Sequence, residues 1–127
     1  MEVLYRSTIA DIGPEVAELL EGGLLILFQV GAPPELAEIS VIHAPGVTES
    51  TAEPQVSDIV RFGGSEARIT AMGPRSWAKA RDLGHITFSF GGAPSADRPG
   101  EICVTAIPHD ELWTALVPGT QLEILRA

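Results

Sequence analysis

The sequence predicts an all-β fold, a single barrel-like domain of short strands with one or two short helices. Two observations support this prediction. Thirteen glycines and ten prolines are spread along 127 residues, and short runs rich in Val, Ile, Leu, Phe and Thr lie between them. Regularly spaced short strands with Gly/Pro turns are typical of sandwiches and barrels. The length fits one domain, residues 1–127, with enough chain to bury one core.

Eight strands are predicted, over residues 3–11, 24–30, 39–42, 58–62, 66–72, 85–90, 101–107 and 120–125. The first and sixth alternate between apolar and polar residues, the period of a strand with one buried face. Residues 24–30 are apolar without alternation, which predicts a strand covered on both faces. Gly63-Gly64-Ser65 between the fourth and fifth strands is a hairpin signature. A Pro-Gly step precedes each of the last two strands, and we interpret this similarity as turn chemistry rather than an internal repeat.

Short helical segments connect some of these strands. Residues 14–21 begin with a proline, which suits the first helical position, and a Gly-Gly pair ends them. Residues 76–83 predict a second helix that ends at Gly84, a typical left-handed terminator. Residues 35–38 predict a single helical turn. Two segments have the polar, Gly/Pro-rich composition of loops: residues 44–54 and 91–100.

The chain is acidic, with 17 Asp and Glu against 8 Lys and Arg and a formal net charge of −9. Its apolar fraction of 45% excludes a disordered acidic tail. Nucleic-acid binding needs clustered Lys and Arg, and the sequence has no such stripe. We therefore expect a neutral or basic partner surface and no nucleic acid.

Compartment and redox state follow from three absences in the sequence. The N-terminus lacks the pattern of a signal peptide. The longest apolar run, residues 24–28, is far shorter than the roughly 20 residues of a membrane span. The single cysteine, Cys103, excludes an intrachain disulfide and is expected to be a buried strand residue. We expect a cytoplasmic protein with no direct membrane insertion.

Three histidines are the candidates for acid–base or nucleophilic chemistry near neutral pH. His43 ends a predicted apolar strand, where the sheet holds a side chain that can still face solvent. His85 opens an alternating strand on its polar face. His109 lies beside two acids in a predicted solvated loop and has the weakest case. For each histidine taken alone, a residue without a functional role stays the alternative.

Signatures of bound cofactors or metals are missing. There is no P-loop, no G-x-G-x-x-G and no C-x-x-C pair in the sequence. A three-histidine zinc site is a further alternative, but no two histidines have the close spacing that marks a metal site. We therefore expect no cofactor and no metal.

Several segments together resemble the glucitol/sorbitol-specific enzyme IIA family of the bacterial phosphotransferase system. GAPPELAE at 31–38, running into VIH at 41–43, resembles the active-site region of that family. ITAMG at 69–73, followed by LGHITFSF at 83–90, resembles its second characteristic block. The opening LYRSTI at 4–9 and the closing VPGT at 117–120 fit in the same order.

The resemblance implies a phosphoryl carrier. In that family a histidine accepts the phosphoryl group from the histidine-containing phosphocarrier protein and passes it to the IIB component of the permease. The IIB and IIC components then take up and phosphorylate a sugar alcohol. His43 matches the phosphorylated histidine, and His85 matches the histidine of the second block. We expect His85 to lie near His43 and to hydrogen-bond the phosphoryl oxygens.

The sequence departs from the family directly after His43. The family often has Cys-His-Gly-Glu there, whereas this chain has Ala44-Pro45-Gly46-Val47. This departure motivates the alternative of a non-catalytic interaction or regulatory module that has kept the barrel and lost phosphotransfer. For a carrier, the net charge predicts that acidic residues form a rim around the His43 site, with an apolar centre, to receive a basic phosphocarrier surface. The acidic residues nearest in sequence are Glu35, Glu38 and Glu49.

Overall fold

The computed structural model describes residues 2–48 and 50–127. Its strands are β1 (Val3–Ile12), β2 (Leu24–Gln29), β3 (Val41–Pro45), β4 (Ile59–Phe62), β5 (Ser65–Met72), β6 (Ile86–Phe90), β7 (Glu101–Val104) and β8 (Gln121–Leu125). Its helices, over these described ranges, are α1 (Val16–Glu21), α2 (Pro34–Ala37), α3 (Ser76–Leu83) and α4 (His109–Ala115). The strands close into a barrel in the order β1-β3-β2-β6-β7-β5-β4-β8. The predicted barrel is confirmed, with four short helices in place of one or two.

Two local predictions are wrong. β3 begins at Val41 and continues to Pro45, so His43 lies in the middle of a strand instead of at its end. The polar stretch around His109 forms the first turn of α4 instead of a loop. Asp110 and Glu111 occupy that first turn, where carboxylates interact favourably with the exposed N–H groups of a helix start.

Burial along β2 also differs from the prediction. Leu25 and Leu27 are fully buried, whereas the residues between and beside them are only half-buried. β2 therefore has one inner face and one partly covered outer face, because its neighbours β3 and β6 cover its edges and not both of its faces. Cys103, as expected, is a buried free cysteine on β7.

The barrel is built from two topologically equivalent halves, which the sequence analysis did not detect. In one half β1 is antiparallel to β3, which is parallel to β2. In the other half β5 is antiparallel to β7, which is parallel to β6. The pairing shifts by one residue between Ile9 and Asp11 in β1 and between Ile69 and Ala71 in β5. In this arrangement His43 in the first half occupies the place of Val104 in the second.

A Gly-Pro step ends the long strand of each half, at Gly13 and at Gly73. A Cβ atom on Gly13 would overlap the carbonyl oxygens of Ala37 and Glu38, and one on Gly73 would overlap those of Arg98 and Pro99. The chain therefore crosses itself at both points so closely that only glycine fits.

Apolar side chains fill the barrel, with Phe62 and Phe88 meeting edge to face at 5.5 Å between ring centroids. Helix α3 packs beside β1, where Trp77 meets Tyr5 edge-on at 5.9 Å. Over residues 2–48 and 50–127, every helix is too short or too polar to cross a bilayer.

Candidate functional site

His43 points into the barrel. Its neighbours across the sheet are Ile9 on β1 and Gln29 on β2, and its exposed fraction is 0%. Side chains of a strand alternate between faces, and Val41, two residues earlier, is buried as well while Ala44 is exposed. The expectation of a solvent-facing histidine is therefore wrong, because His43 has the inward phase of a strand that continues beyond it.

Both ring nitrogens of His43 are hydrogen-bonded. Nδ1 lies 2.7 Å from the Ser7 hydroxyl oxygen, and Nε2 lies 2.6 Å from the Gly84 carbonyl oxygen. A carbonyl can only accept, so Nε2 carries the proton and donates it, while Nδ1 accepts from the Ser7 hydroxyl. Burial lowers the pKa of His43 from 6.5, and the bond to Gly84 opposes this shift. The ring is thus a neutral imidazole in one tautomer, with its lone pair directed at Ser7.

Gly84 ends α3 in the left-handed conformation, at φ 61°. Its N–H donates to the Ala80 carbonyl at 3.0 Å, which closes the last turn of the helix. A Cβ atom here would lie 2.8 Å from Cβ of Gln29. Glycine at this position therefore brings the α3–β6 turn against β2 and places its carbonyl oxygen on His43.

His85 follows Gly84 directly, so the structure places its backbone next to the His43 ring. The His85 ring is half-buried and lies 5.2 Å from the Phe28 ring. Burial, together with the charge of Lys79, lowers its pKa from 6.5. The connection between the two histidines is indirect. The His43 ring is hydrogen-bonded to Ser7 and to the Gly84 carbonyl, and His85 is the residue after Gly84.

His109 is not part of this arrangement. Its half-exposed side chain begins α4, 3.6 Å from the neighbouring Asp110 carboxylate. It lines a separate cavity of about 130 Å³ with Leu20 and Leu112. Throughout residues 2–48 and 50–127, no three His, Cys, Asp or Glu side chains are grouped as a metal site would require.

Sequence reasoning missed two side chains beside His43. Tyr5 and Ser7 share the inward face of β1 with Ile9, and all three are buried. The sequence did offer one signal for Ser7, a serine among inward-facing residues of a strand, because a buried hydroxyl needs a hydrogen-bond partner. That partner is the His43 ring.

Exposed apolar residues and mixed charges surround this end of the barrel. Val30, whose N–H donates to the His43 carbonyl at 3.0 Å, and Leu83, which precedes Gly84, are 59% and 46% exposed. The charges on α3 are mixed, with Lys79 and Arg81 beside Asp82. The expected acidic rim gains no support from Glu38. Its backbone lies beyond the end of β1, where its carbonyl accepts a hydrogen bond from Glu15 N–H.

The other two predicted rim residues add no support either. Glu35 is exposed on α2, and within the described part of the chain its side chain makes no hydrogen bond or ion pair. Glu49 lies outside the described residues.

Comparison with known proteins identifies the family. The model of the family described as "PTS system glucitol/sorbitol-specific IIA component" matches residues 4–122. The chain belongs to this family. IIA components of this type from Shigella flexneri and Escherichia coli (strain K12) are each 32% identical over 124 residues, which cover 97% of this chain and 95% of theirs.

A solved structure has the same fold as this IIA chain. The crystal structure of a PTS system IIA component from Enterococcus faecalis V583 superposes with a TM-score of 0.74 at 20% identity. The match covers 94% of this chain and 98% of that one. The chain is thus a phosphoryl carrier component of the sugar phosphotransferase system, and the alternative of a module without phosphotransfer is not favoured.

Proposed function

We propose that His43 is the phosphoryl acceptor of this IIA chain. The observation that supports this most is its ring, a neutral imidazole held in one tautomer by Ser7 and Gly84. A neutral imidazole with one nitrogen oriented by a hydrogen bond is a competent nucleophile. The same residue matches the phosphorylated histidine of the family. The phosphoryl donor we propose is the histidine-containing phosphocarrier protein, and the acceptor is the IIB component of a sugar-alcohol permease.

In the transfer, the N–P bond of the donor breaks and its electron pair returns to the donor ring. A ring nitrogen of His43 supplies the pair for the new N–P bond. If Nδ1 attacks, its hydrogen bond with the Ser7 hydroxyl must break, while Nε2 keeps its proton and its hydrogen bond to the Gly84 carbonyl. If Nε2 attacks, the Gly84 bond must break and the proton must move to Nδ1. Either route needs in-line positioning and little further chemistry, but both require that the buried ring first be uncovered.

His85 would assist as a hydrogen-bond donor to the phosphoryl oxygens. Its support is its place directly after Gly84 and its partial exposure. The Lys79 charge, which adds to burial in lowering the pKa of His85, would also favour an incoming anion. A neutral imidazole still has one N–H to donate, so His85 needs no protonation for this role.

Partner docking would use the exposed apolar residues beside the site. Val30 and Leu83 flank the His43 carbonyl and the Gly84 turn, respectively. Exposed apolar residues beside the site let a docked partner exclude water during transfer. In this proposal residues 1–127 act as one IIA domain, and its cytoplasmic location stays a prediction.

The test is phosphorylation by phosphoenolpyruvate, enzyme I and the phosphocarrier protein, followed by mass spectrometry. We expect the wild type to gain one acid-labile phosphoryl group and His43→Gln to gain none. His85→Gln should be labelled more slowly, whereas the matched control His109→Gln should behave as wild type. Unchanged labelling of His43→Gln would show that another residue is the acceptor.

A further inference from the structure

Tyr5 has a buried hydroxyl without a hydrogen-bond partner in the described part of the chain. Its side chain is only 7% exposed. Nearly all buried polar groups in folded proteins are paired, because an unpaired one loses its bonds to water without replacement. An exception beside a nucleophile therefore calls for a functional explanation.

The Tyr5 ring is next to the proposed acceptor. Its centroid lies 6.3 Å from that of the His43 ring. Tyr5 and Ser7 share the inward face of β1, and Ser7 holds the His43 Nδ1 atom. Burial raises the pKa of Tyr5 to about 12, so the hydroxyl keeps its proton at neutral pH. The Tyr5 hydroxyl beside His43 is thus a hydrogen-bond donor without an acceptor among the described residues.

A surface groove of about 330 Å³ has Tyr5 among its lining residues. Tyr5 and Trp77 line it together with Pro45, which lies two residues beyond His43. Thr51 and Arg81 contribute a hydroxyl and a positive charge, and Glu53 contributes a negative one. Arg81 pairs with Asp82 at 2.9 Å. Tyr5 therefore borders both this groove and the His43 ring.

We propose that Tyr5 is a further residue of the phosphoryl site, whose hydroxyl donates a hydrogen bond to a phosphoryl oxygen during transfer to His43 and while the group is held there. A phosphoryl group brings three strong acceptor oxygens, which are what the unpaired donor lacks. This inference rests on the proposed role of His43. Tyr5 forms no bond to phosphorus, and its hydroxyl proton stays on the hydroxyl throughout.

The experiment compares Tyr5→Phe with Ser40→Ala in the full chain. Both variants delete a buried hydroxyl that has no partner among the described residues, and Tyr5→Phe keeps the aromatic ring. Ser40 serves as the control because its carbonyl accepts from Gly13 N–H at 3.0 Å, which places it at the opposite end of the strand pair. Neither variant should have a lower thermal midpoint than the wild type, since each removes an unsatisfied group.

Single-turnover transfer from the phosphorylated phosphocarrier protein separates the two variants. We expect Tyr5→Phe to be slowed about tenfold or more, the usual effect of losing a hydrogen bond to a charged group, and Ser40→Ala to match the wild type. The ³¹P resonance of phosphorylated His43 should shift in Tyr5→Phe and stay in place in Ser40→Ala.

Three outcomes would overturn the inference in distinguishable ways. Equal rates and equal ³¹P shifts for wild type and Tyr5→Phe would remove Tyr5 from the site while leaving His43 as acceptor. A slower Tyr5→Phe with a lower thermal midpoint and an unchanged ³¹P shift would assign Tyr5 a structural role. Absence of labelling in the wild type itself would overturn the proposed role of His43 and that of Tyr5 with it.

Discussion

The Nε2 atom of His43 donates its proton to the Gly84 carbonyl oxygen over 2.6 Å, so the turn before His85 covers the proposed phosphoryl acceptor. Ser7 occupies the other ring nitrogen at 2.7 Å. A nucleophile closed on both sides cannot react with an approaching molecule until one of these bonds breaks. For the proposed relay, this makes reactivity conditional on local opening of the α3–β6 turn or of the Ser7 side, which a docked partner can promote by binding the open form.

The first consequence concerns the reactivity of the three histidines toward diethyl pyrocarbonate, which attacks unprotonated and accessible imidazoles. His109 has a half-exposed side chain, whereas His43 is fully buried and bonded at both nitrogens. We expect peptide mass mapping to show modification of His109 and His85 well before His43. In the urea-unfolded chain all three should react alike. Equal rates in the folded protein would contradict a closed site.

The second consequence concerns Gly84, which we compare with Gly63. Both adopt left-handed conformations, at φ 61° and 58°, so alanine costs each about 1 kcal/mol in backbone strain. An added Cβ at position 84 would lie 2.8 Å from Cβ of Gln29, whereas at position 63 it would make an ordinary 3.4 Å contact with Thr120. We expect Gly84→Ala to lose at least about 1 kcal/mol more free energy of unfolding than Gly63→Ala.

The same variant should also open the site. The displaced Gly84 carbonyl can no longer hold Nε2, so His43 should become more reactive toward diethyl pyrocarbonate in Gly84→Ala and stay protected in Gly63→Ala. Equal stability losses together with equal His43 protection would show that the close packing of Gly84 on Gln29 has no effect on the site.

Much of the fold was predictable because its signals are local. Gly/Pro turns and alternating runs identified all eight strands, and Gly84 was identified as the end of a helix. The parallel pairing of β2 with β3 and of β6 with β7 was not predictable. Such pairing depends on contacts between distant segments, and the two equivalent halves share few residues beyond their Gly-Pro steps.

The sequence predicted the two histidines of the site but not the groups that surround His43. β3 continues to Pro45 instead of ending at Ile42, and this makes His43 an inward residue of a continuing strand instead of a strand-end residue. Its partners, a Ser7 hydroxyl from β1 and a Gly84 carbonyl from the α3–β6 turn, lie far away in sequence. A backbone carbonyl carries no sequence signal at all, so only the folded chain could identify it as the second partner.

The third consequence concerns Ser7, whose hydroxyl satisfies the buried Nδ1 atom. Ser7→Ala leaves this acceptor unpaired in the barrel, which costs about 1–3 kcal/mol. Thr8→Ala is the control, because Thr8 is the exposed neighbour on the outer face of β1 and its loss should change stability by about 0.5 kcal/mol or less. Urea unfolding followed by tryptophan fluorescence measures both. Indistinguishable unfolding curves for the two variants would mean that the Ser7 bond does not contribute to stability.

The fourth consequence is the pH dependence of stability. Burial holds the pKa of His43 below its ordinary 6.5, and burial with Lys79 does the same for His85. As the pH falls through 6.5, the unfolded chain takes up protons that the folded chain does not, so stability present above this pH is lost toward the lower folded pKa values.

We expect the thermal midpoint to fall as the pH is lowered from about 8 to about 5.5, before most carboxylates titrate. His43→Gln should flatten this dependence. The imidazole proton resonances of the wild type provide a direct check, since midpoints at 6.5 for His43 and His85 would remove the expected effect and midpoints above 6.5 would reverse its sign.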